Sequence, residues 1–469
     1  MLCLGPRGDA PAWYEELGKA KGILEGRRVV ALCTVLAAPA SAAMLADLGA
    51  EVIKVEEPKG DPMRSVLWAA ERDRAAQKIP CSVGEFCNRG VKSVVINLKD
   101  EADKQSLLDL LQTADAFMTN HKVQLLKDFG MDSDTLKKTH PHLVYSHFSG
   151  WGREGPYVSN IGYDVAAFNA TFGMMRFMSE DNNIMPRYPL GFGDMITSVA
   201  FAGVTLLGLV ERLWSKEPRL AQTSLIASAA WCMSTAMLAR QQGAKPESAR
   251  ELLDLLAGPQ SWGNKMFRTS DQEWLAVSCL DAEELKKVLS AVGLPETAGE
   301  KEFREAVGSQ TKDQLVSALE AAKVDYAGPA TLNEEVMTQP GYEELLTPLP
   351  RAQDMRGVLK QPVKFSSFEH KPIGRAPPLG HHQDLLTNID VTKKPPAGGQ
   401  LTNARSQPVT SFASLRVVEF GQSVAAAAAG RMLADQGADV VKVEAPGGDP
   451  TRQAGVKALF EHLNRGKKS

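Results

Sequence analysis

Little in this sequence points to thiol, disulfide or metal chemistry. Its 469 residues include six cysteines, Cys3, Cys33, Cys81, Cys87, Cys232 and Cys279, and no two stand in CxxC spacing. That scatter argues against a disulfide framework or a zinc site and fits a reducing compartment. His121, His140, His142, His147, His381 and His382 give no metal-ligand spacing either, and read as loop or surface histidines. A surplus of one charge is also missing. With 53 Lys and Arg against 56 Asp and Glu, the net charge of −3 offers no general attraction to nucleic acid or to an anionic membrane. Neither partner is expected. The longest apolar stretch, Met195 to Val210, is shorter than a bilayer span and contains Thr, Ser and Gly, so it reads as a buried helix. Arg7, Asp9, Glu15 and Glu16 follow Met1 closely, and no apolar signal-peptide core is visible. A cytoplasmic protein is expected, with an organellar presequence left open.

What the chain does have is a duplication. Arg28–Arg64 and Arg416–Arg452 align without a gap, and 21 of 37 positions are identical. Unrelated segments would share roughly two. The unit reads as β-α-β. Arg28 to Leu32 is a buried-strand run, Ala40 to Leu48 a helix stopped by Gly49, and Glu51 to Glu56 a second strand closed by Pro58, Gly60, Asp61 and Pro62. The loop after the first strand, Thr34 to Pro39, is mostly small or apolar and lacks GxGxxG. Such a loop lets a ligand approach at the carboxyl ends of the strands, where open α/β sheets place their sites.

Strands and helices go on alternating. Val94 to Leu98, Ala116 to Thr119 and Leu143 to Phe148 read as strands, and Lys104 to Leu111 and Val123 to Phe129 as helices. The expected architecture is an open, doubly wound parallel sheet. Asp164 to Phe172 reads as a helix start and Met174 to Met178 as a Met-rich segment. Pro189 to Asp194 then introduces a long apolar helix to about Leu213. Acidic helices at Glu283 to Val292 and Thr311 to Ala322 suggest a smaller α+β domain. The expected division is a large α/β domain over 22–225 plus 345–390, a small domain over 226–344, and a linker over 391–411. A second copy of the N-terminal unit, cut off before its third strand, occupies 412–469.

Asp194 is the strongest candidate for chemistry. It follows Gly191 and Gly193 and precedes an apolar helix, which suits a plain N-cap. The same position suits a carboxylate placed to attack an electrophile. Asp164 is likewise open to reading as a cap, and Tyr163 to reading as a hydrogen-bond donor. Arg64, Lys92 and Lys99 stand near strand ends, as solvated charges or phosphate partners.

Taken together, these stretches resemble the class III CoA-transferases, a family that includes formyl-CoA and crotonobetaine/carnitine CoA-transferases and the related α-methylacyl-CoA racemases. The resemblance rests on Met44 to Glu56, Gly60-Asp61-Pro62 with Arg64, Asn88-Arg89 with Lys92-Ser93, and Asn97-Leu98-Lys99. It continues through Ala114-Asp115 with Asn120, Leu143 to Ser146, Ser149 to Gly152, Gly162-Tyr163-Asp164 and Gly193-Asp194, and ends at Ala376 to His382.

The resemblance implies an interlocked homodimer. It also implies transfer of coenzyme A from an acyl-CoA to a carboxylic acid, with no bound cofactor and no metal. Asp194 matches the family nucleophile, which forms an acyl-aspartyl anhydride and then an aspartyl-CoA thioester. Val35, Leu36 and Ala37 match the loop along CoA, Ile96 and Lys99 its adenine and phosphate end, and Asn120 and His121 a further contact pair. Tyr163, with Asp164 beside it, matches the substrate-facing tyrosine of the transferases. The racemases carry histidine there, so racemisation is disfavoured. A catalytically silent CoA-binding scaffold is the alternative from outside the enzymes. Leu36 stands where formyl-CoA transferase has glutamine, Glu57 replaces a CoA-contacting arginine, and no glycine-rich lid is visible between Ala257 and Asn264. Oxalate is therefore disfavoured as acceptor, and the Met-rich stretch points to a larger organic acid.

Overall fold

The structure, a computed structural model, describes residues 22–64, 82–178, 189–215, 217, 219–245, 251–252, 262, 265–277, 279, 282–324, 326–327, 346–347, 358–359, 362, 377, 379–392, 411–452 and 458–469. The stretch Ala69 to Pro80, Glu180 to Arg187, most of the return chain before residue 379 and most of the linker lie outside these residues.

The first unit is β1 (Arg28–Leu32), α1 (Ala37–Asp47) and β2 (Glu51–Glu56), followed by α2 (Ser82–Asn88) and β3 (Lys92–Val95). Then come α3 (Glu101–Gln112), β4 (Ala116–Thr119), α4 (Val123–Asp128), α5 (Ser133–Thr139) and β5 (Val144–Ser149). A long helix, α6 (Phe192–Glu211), leads to β6 (Arg219–Ser224). The six strands pair in parallel in the order β3-β2-β1-β4-β5-β6. Strand order therefore reverses between β1 and β4, the switch point at which open α/β sheets bind ligands.

Alternation along the strands divides the core in two. Val29 and Ala31 of β1 face one cluster with Ala116 and Met118, while Val30 and Leu32 face the other with Phe117 and Tyr145. Both faces are covered, which is why the strands read as continuous apolar runs. α1 fits tightly because it is built of small residues, and all of it except Ala46 is buried. Pro39 is tolerated in its first turn, where N–H groups have no intrahelical partner. The Ser41 hydroxyl lies 2.8 Å from the Ser198 carbonyl, joining α1 to α6. α6 is long and apolar enough to cross a membrane by length and composition, yet one face is core: Thr197, Phe201 and Thr205 are buried, and Thr205 bonds Ser146 of β5.

Two sequence expectations change. The helix start at Asp164 is a π-helical turn, Val165–Ala170. The stretch Trp231 to Gln242 reads in the sequence as one helix; the structure has two there, α7 (Leu225–Cys232) and α8 (Ser234–Gln241), with Met233 between them. Beyond them, β7 (Met266–Arg268), β8 (Trp274–Val277) and β9 (Tyr326–Ala327) form an antiparallel sheet. It packs with α9 (Ala282–Ala291), α10 (Glu300–Gly308) and α11 (Lys312–Ala321) around its own core, which includes Phe267, Leu289, Phe303 and Leu315.

A two-residue antiparallel pair, β10 (Leu346–Thr347) and β11 (Val358–Leu359), precedes the end of the return chain. The return chain then closes the edge strand β3. The Gln383 side chain accepts from Val95 N and donates to Val95 O, both at 2.8 Å, and His382 N donates to Ser93 O. An exposed edge is thereby satisfied by side-chain mimicry of a strand.

The duplicated unit folds as its sequence predicts. β12 (Arg416–Glu419), α12 (Ala425–Asp435), β13 (Asp439–Lys442) and α13 (Ala458–Asn464) repeat the order of β1, α1, β2 and α2. A buried ion pair repeats too. Lys54 meets Asp61 at 2.6 Å, and Lys442 meets Asp449 at 2.9 Å. An isolated β-α-β piece, short of partner surface, is expected to dock loosely or to lack order. Here it packs against α7 and α8 instead. Arg431 lies 5.3 Å from the Trp231 ring centre, His462 lies tilted against the same ring at 5.8 Å, and Phe412 meets Trp214 edge-on at 5.2 Å. Ala427, Leu459 and Leu463 join the first core cluster. Its other sheet face is bare: Val418 and Phe420 are 65% and 86% exposed, against 0% and 5% for Val30 and Leu32 at the matching positions.

Deleting residues 400–469 should therefore uncover Trp214 and Trp231. The expected cost is about 2 kcal/mol or more in urea unfolding, with red-shifted tryptophan emission. An unchanged unfolding midpoint would mean the docking contributes nothing.

Candidate functional site

The switch point holds a cavity of about 240 Å³, lined from β1 by Thr34 to Ala37, from β4 by Asn120 to Val123, from β5 by His147 to Gly152, and by Asn160 to Asp164 and Asp194. Its first wall is a fixed loop. Asn120 accepts from Thr34 N at 3.0 Å and donates to Thr34 O at 2.8 Å. Val35 adopts φ 71°, a left-handed conformation costly for a β-branched residue. Its N–H donates to Asp61 Oδ1 at 3.2 Å, while Asp61 Oδ2 holds the Lys54 ammonium, which also reaches Asn88. The ion pair beneath the loop thus helps hold the strained residue. Ser423, at the matching place in the second copy, has φ 62° and bonds Asp449 in the same way.

The opposite wall depends on close backbone contact. A Cβ on Gly150 would lie 2.3 Å from the Gly162 Cα, so the loops after β5 and before Asp164 touch directly. At the start of α6, Gly191 takes the N-cap position with φ 74°, and a Cβ there would meet Leu36 at 2.3 Å. A Cβ on Gly193 would meet Phe168 at 2.2 Å and Asp164 Oδ1 at 2.3 Å. The glycines around Asp194 bring three loops to one point.

Asp194 is not the cap of α6. It stands in the first turn, two residues after helix entry, and no hydrogen bond reaches its carboxylate among the described residues. Burial, and then the Asp164 charge beside it, push it up to about 7. Asp164 is itself raised by burial, although the amides of Gly193, Asp194 and Gly191 favour its charge; its Oδ1 has no full hydrogen-bond partner. Two carboxylates side by side, one without hydrogen bonds, make a group suited to holding a proton near neutrality or attacking a carbonyl. Thiols nearby are poor rivals. Burial raises Cys33 far above its ordinary value and Cys87 to about 12.

The sequence candidates fall into two groups. Val35, Leu36, Ala37, Asn120, His121, Tyr163, Asp164 and Asp194 all line this one cavity, with Tyr163 at its mouth and 66% exposed. Ile96 and Lys99 do not line it. The Ile96 side chain is buried in the second core cluster, and Lys99 is exposed in the loop after β3. Met174, of the Met-rich stretch, is core and not lining. Asp61, Ser149 and the Gly150–Gly162 contact were missed as parts of the site. The motif Gly60-Asp61-Pro62, present in both copies, carried the signal for Asp61. Nothing local marks the glycine contact.

A family model described as CoA-transferase family III matches residues 24–383 and again 412–469. Among curated relatives, the (R)-2-hydroxy-4-methylpentanoate CoA-transferase of Clostridioides difficile is 31% identical over 258 residues, or 55% of this chain. That match spans 63% of the relative, just under two thirds of its length. The succinate–glutarate CoA-transferase of Agrobacterium fabrum is 26% identical over 405 residues, covering 81% of this chain and 98% of its own. A solved CaiB/BaiF family protein from Brucella suis has the same fold, with a TM-score of 0.66 at 23% identity over 79% of this chain and all of that one.

Asp164→Asn should lower the Asp194 titration from about 7 without returning it to the ordinary carboxylate range, because burial remains. Carbon-13 NMR or pH-dependent carbodiimide labelling reads this. The stability linkage has a definite sign. A carboxyl held up near 7 when folded, against 3.8 when unfolded, stabilises the fold fully below pH 3.8 and loses that contribution as pH rises through 7. Asp194→Asn should accordingly melt higher than the parent above pH 7. Equal melting there would contradict the raised titration.

Proposed function

The chain belongs to CoA-transferase family III, and from that premise we propose that it moves coenzyme A from an acyl-CoA donor to a carboxylic acid, with Asp194 as covalent carrier. The observation that carries this reading is the Asp194 carboxylate itself, which takes no hydrogen bond from the described residues and lies in a cavity at the sheet's switch point. A carboxyl near 7 is partly ionised at neutral pH, so the attacking form is available without a separate base.

The steps balance. An Asp194 carboxylate oxygen attacks the donor thioester carbonyl, the C–S bond breaks, and the CoA thiolate leaves an acyl-aspartyl anhydride. The thiolate attacks the aspartyl carbonyl carbon, releasing the donor acid as carboxylate and leaving an aspartyl-CoA thioester. The acceptor carboxylate attacks that thioester and expels the thiolate. The thiolate then takes the acceptor's acyl carbon, restoring Asp194. No proton is consumed, and the thioester energy stays in activated acyl species. The fixed loop at Val35, Leu36 and Ala37, with Asn120 and His121, is suited to lie along the pantetheine arm. Tyr163, exposed at the mouth, supports reading it as a contact for the acyl group. Of the relatives, one is named for a branched 2-hydroxy acid and the other for two dicarboxylates.

We also infer an interlocked homodimer. Exposed apolar side chains on one face of α6, Ile196 and Val199, with Leu190 before the helix, support a covering partner. Sedimentation at nanomolar concentration should find a dimer, and an active monomer would contradict it.

Asp194→Ala should keep the fold and lose CoA exchange by at least about a thousandfold, as removal of a nucleophile does. The parent, incubated with acyl-CoA, should carry a mass adduct on the peptide containing Asp194. Full exchange by the alanine variant would end the proposal.

A further inference from the structure

The acid that meets Asp194 must sit in the same cavity, whose lining is uneven in charge. Its ionisable walls are the Asp164 and Asp194 carboxylates, His121, His147 and Lys122 among the described residues. The histidines add little positive charge at neutral pH. Burial lowers both, His147 to about 4, and the His147 Nε2 is engaged with the His121 carbonyl at 2.9 Å. Lys122 is exposed, and its ammonium donates to the Ser159 carbonyl at 2.8 Å. Among the described residues, the cationic side of the cavity is therefore its outer rim.

The rest of the lining is apolar. Val35, Leu36, Phe148, Trp151, Val158 and Ile161 face the space. Trp151 is fixed there, packed on Tyr157 at 5.4 Å and donating from Nε1 to the Ile161 carbonyl at 3.2 Å. Val158 and Ile161 stay exposed beside it, apolar surface that a ligand would cover.

We infer that the acceptor is a monocarboxylate with an apolar body, and that dicarboxylates are poor substrates; this rests on the CoA-transfer reading above. One carboxylate of the acid is consumed by the reaction at the Asp194 carbonyl. A second one would be desolvated against apolar walls and close to the Asp164 charge, with no cation beside it among the described residues, and both effects oppose binding. An alkyl or aryl body instead gains by covering Trp151, Val158 and Ile161.

The test uses the full chain with butyryl-CoA as donor and reads product thioesters by mass spectrometry. Hexanoate and 3-phenylpropanoate are compared with succinate and glutarate. The apolar acids should exceed the dicarboxylates in kcat/KM by at least about tenfold. Ile161→Arg, which brings a cation to the wall, should raise glutarate relative to hexanoate. Dicarboxylates accepted as well as or better than the apolar acids would overturn the inference and leave CoA transfer standing. No exchange to any of the four acids, together with no adduct on Asp194, would remove the transfer reading and this inference with it.

Discussion

The buried pair of Lys54 and Asp61 is the constraint on which the rest of the site depends. Their side chains are 2% and 0% exposed, so neither charge has water to fall back on. Such a pair gains little net stability, because desolvation offsets most of its attraction, but losing either partner strands a charge and typically costs about 3–5 kcal/mol. What it secures here is geometry. Asp61 spends its second oxygen on Val35 N and Met63 N, and Lys54 also reaches Asn88. Strand β2, helix α2 and the loop after β1 are tied at one point. That the same pair recurs at Lys442 and Asp449 marks it as a property of the unit and not of one location.

From that anchor the order passes by contact to Asp194. Leu36, carried by the fixed loop, presses on Gly191, and Gly191 sets the first turn of α6. Asp164 and Phe168 press on Gly193 from the other side, and Gly150 against Gly162 fixes where Asp164 can be. None of these contacts is a hydrogen bond to the Asp194 carboxylate. Its environment is built by packing around it, which leaves the oxygens without a hydrogen bond from the described residues, at the expense of stability at neutral pH.

Much of this was legible in the sequence, and the rest was not for definite reasons. The β-α-β unit was readable because apolar runs, Gly49 and the Gly-Asp-Pro turn are local signals, and the duplication wrote them twice. Asp194 was readable as special, but its place after the cap was not. The sequence shows a glycine before an acid, and only the φ of Gly191 decides which of them begins the helix. Ile96 could have been assigned to the core, since it alternates with Val94 on one face. The Gly150–Gly162 approach leaves no trace in a single sequence, because two glycines in separate loops advertise nothing. The docking of the second copy was hidden in the same way: Arg431 looks like a solvated helix residue until Trp231 is seen beneath it.

That arginine bears on how the chain sorts itself while folding. Two segments share 21 of 37 positions, yet of the two first strands it is β1 that pairs with β4, while β12 pairs with β13. Two of their differences put a charge where the first copy has buried alanine: Ala31 is matched by Glu419, and Ala43 by Arg431. Ala43 is completely buried. An arginine there would need space the packing lacks and a partner for a buried charge. Over Trp231 the same side chain has an aromatic face, Asp435 and His462. The wrong arrangement is thus penalised at the residue that secures the right one, so the repeat carries its own address label.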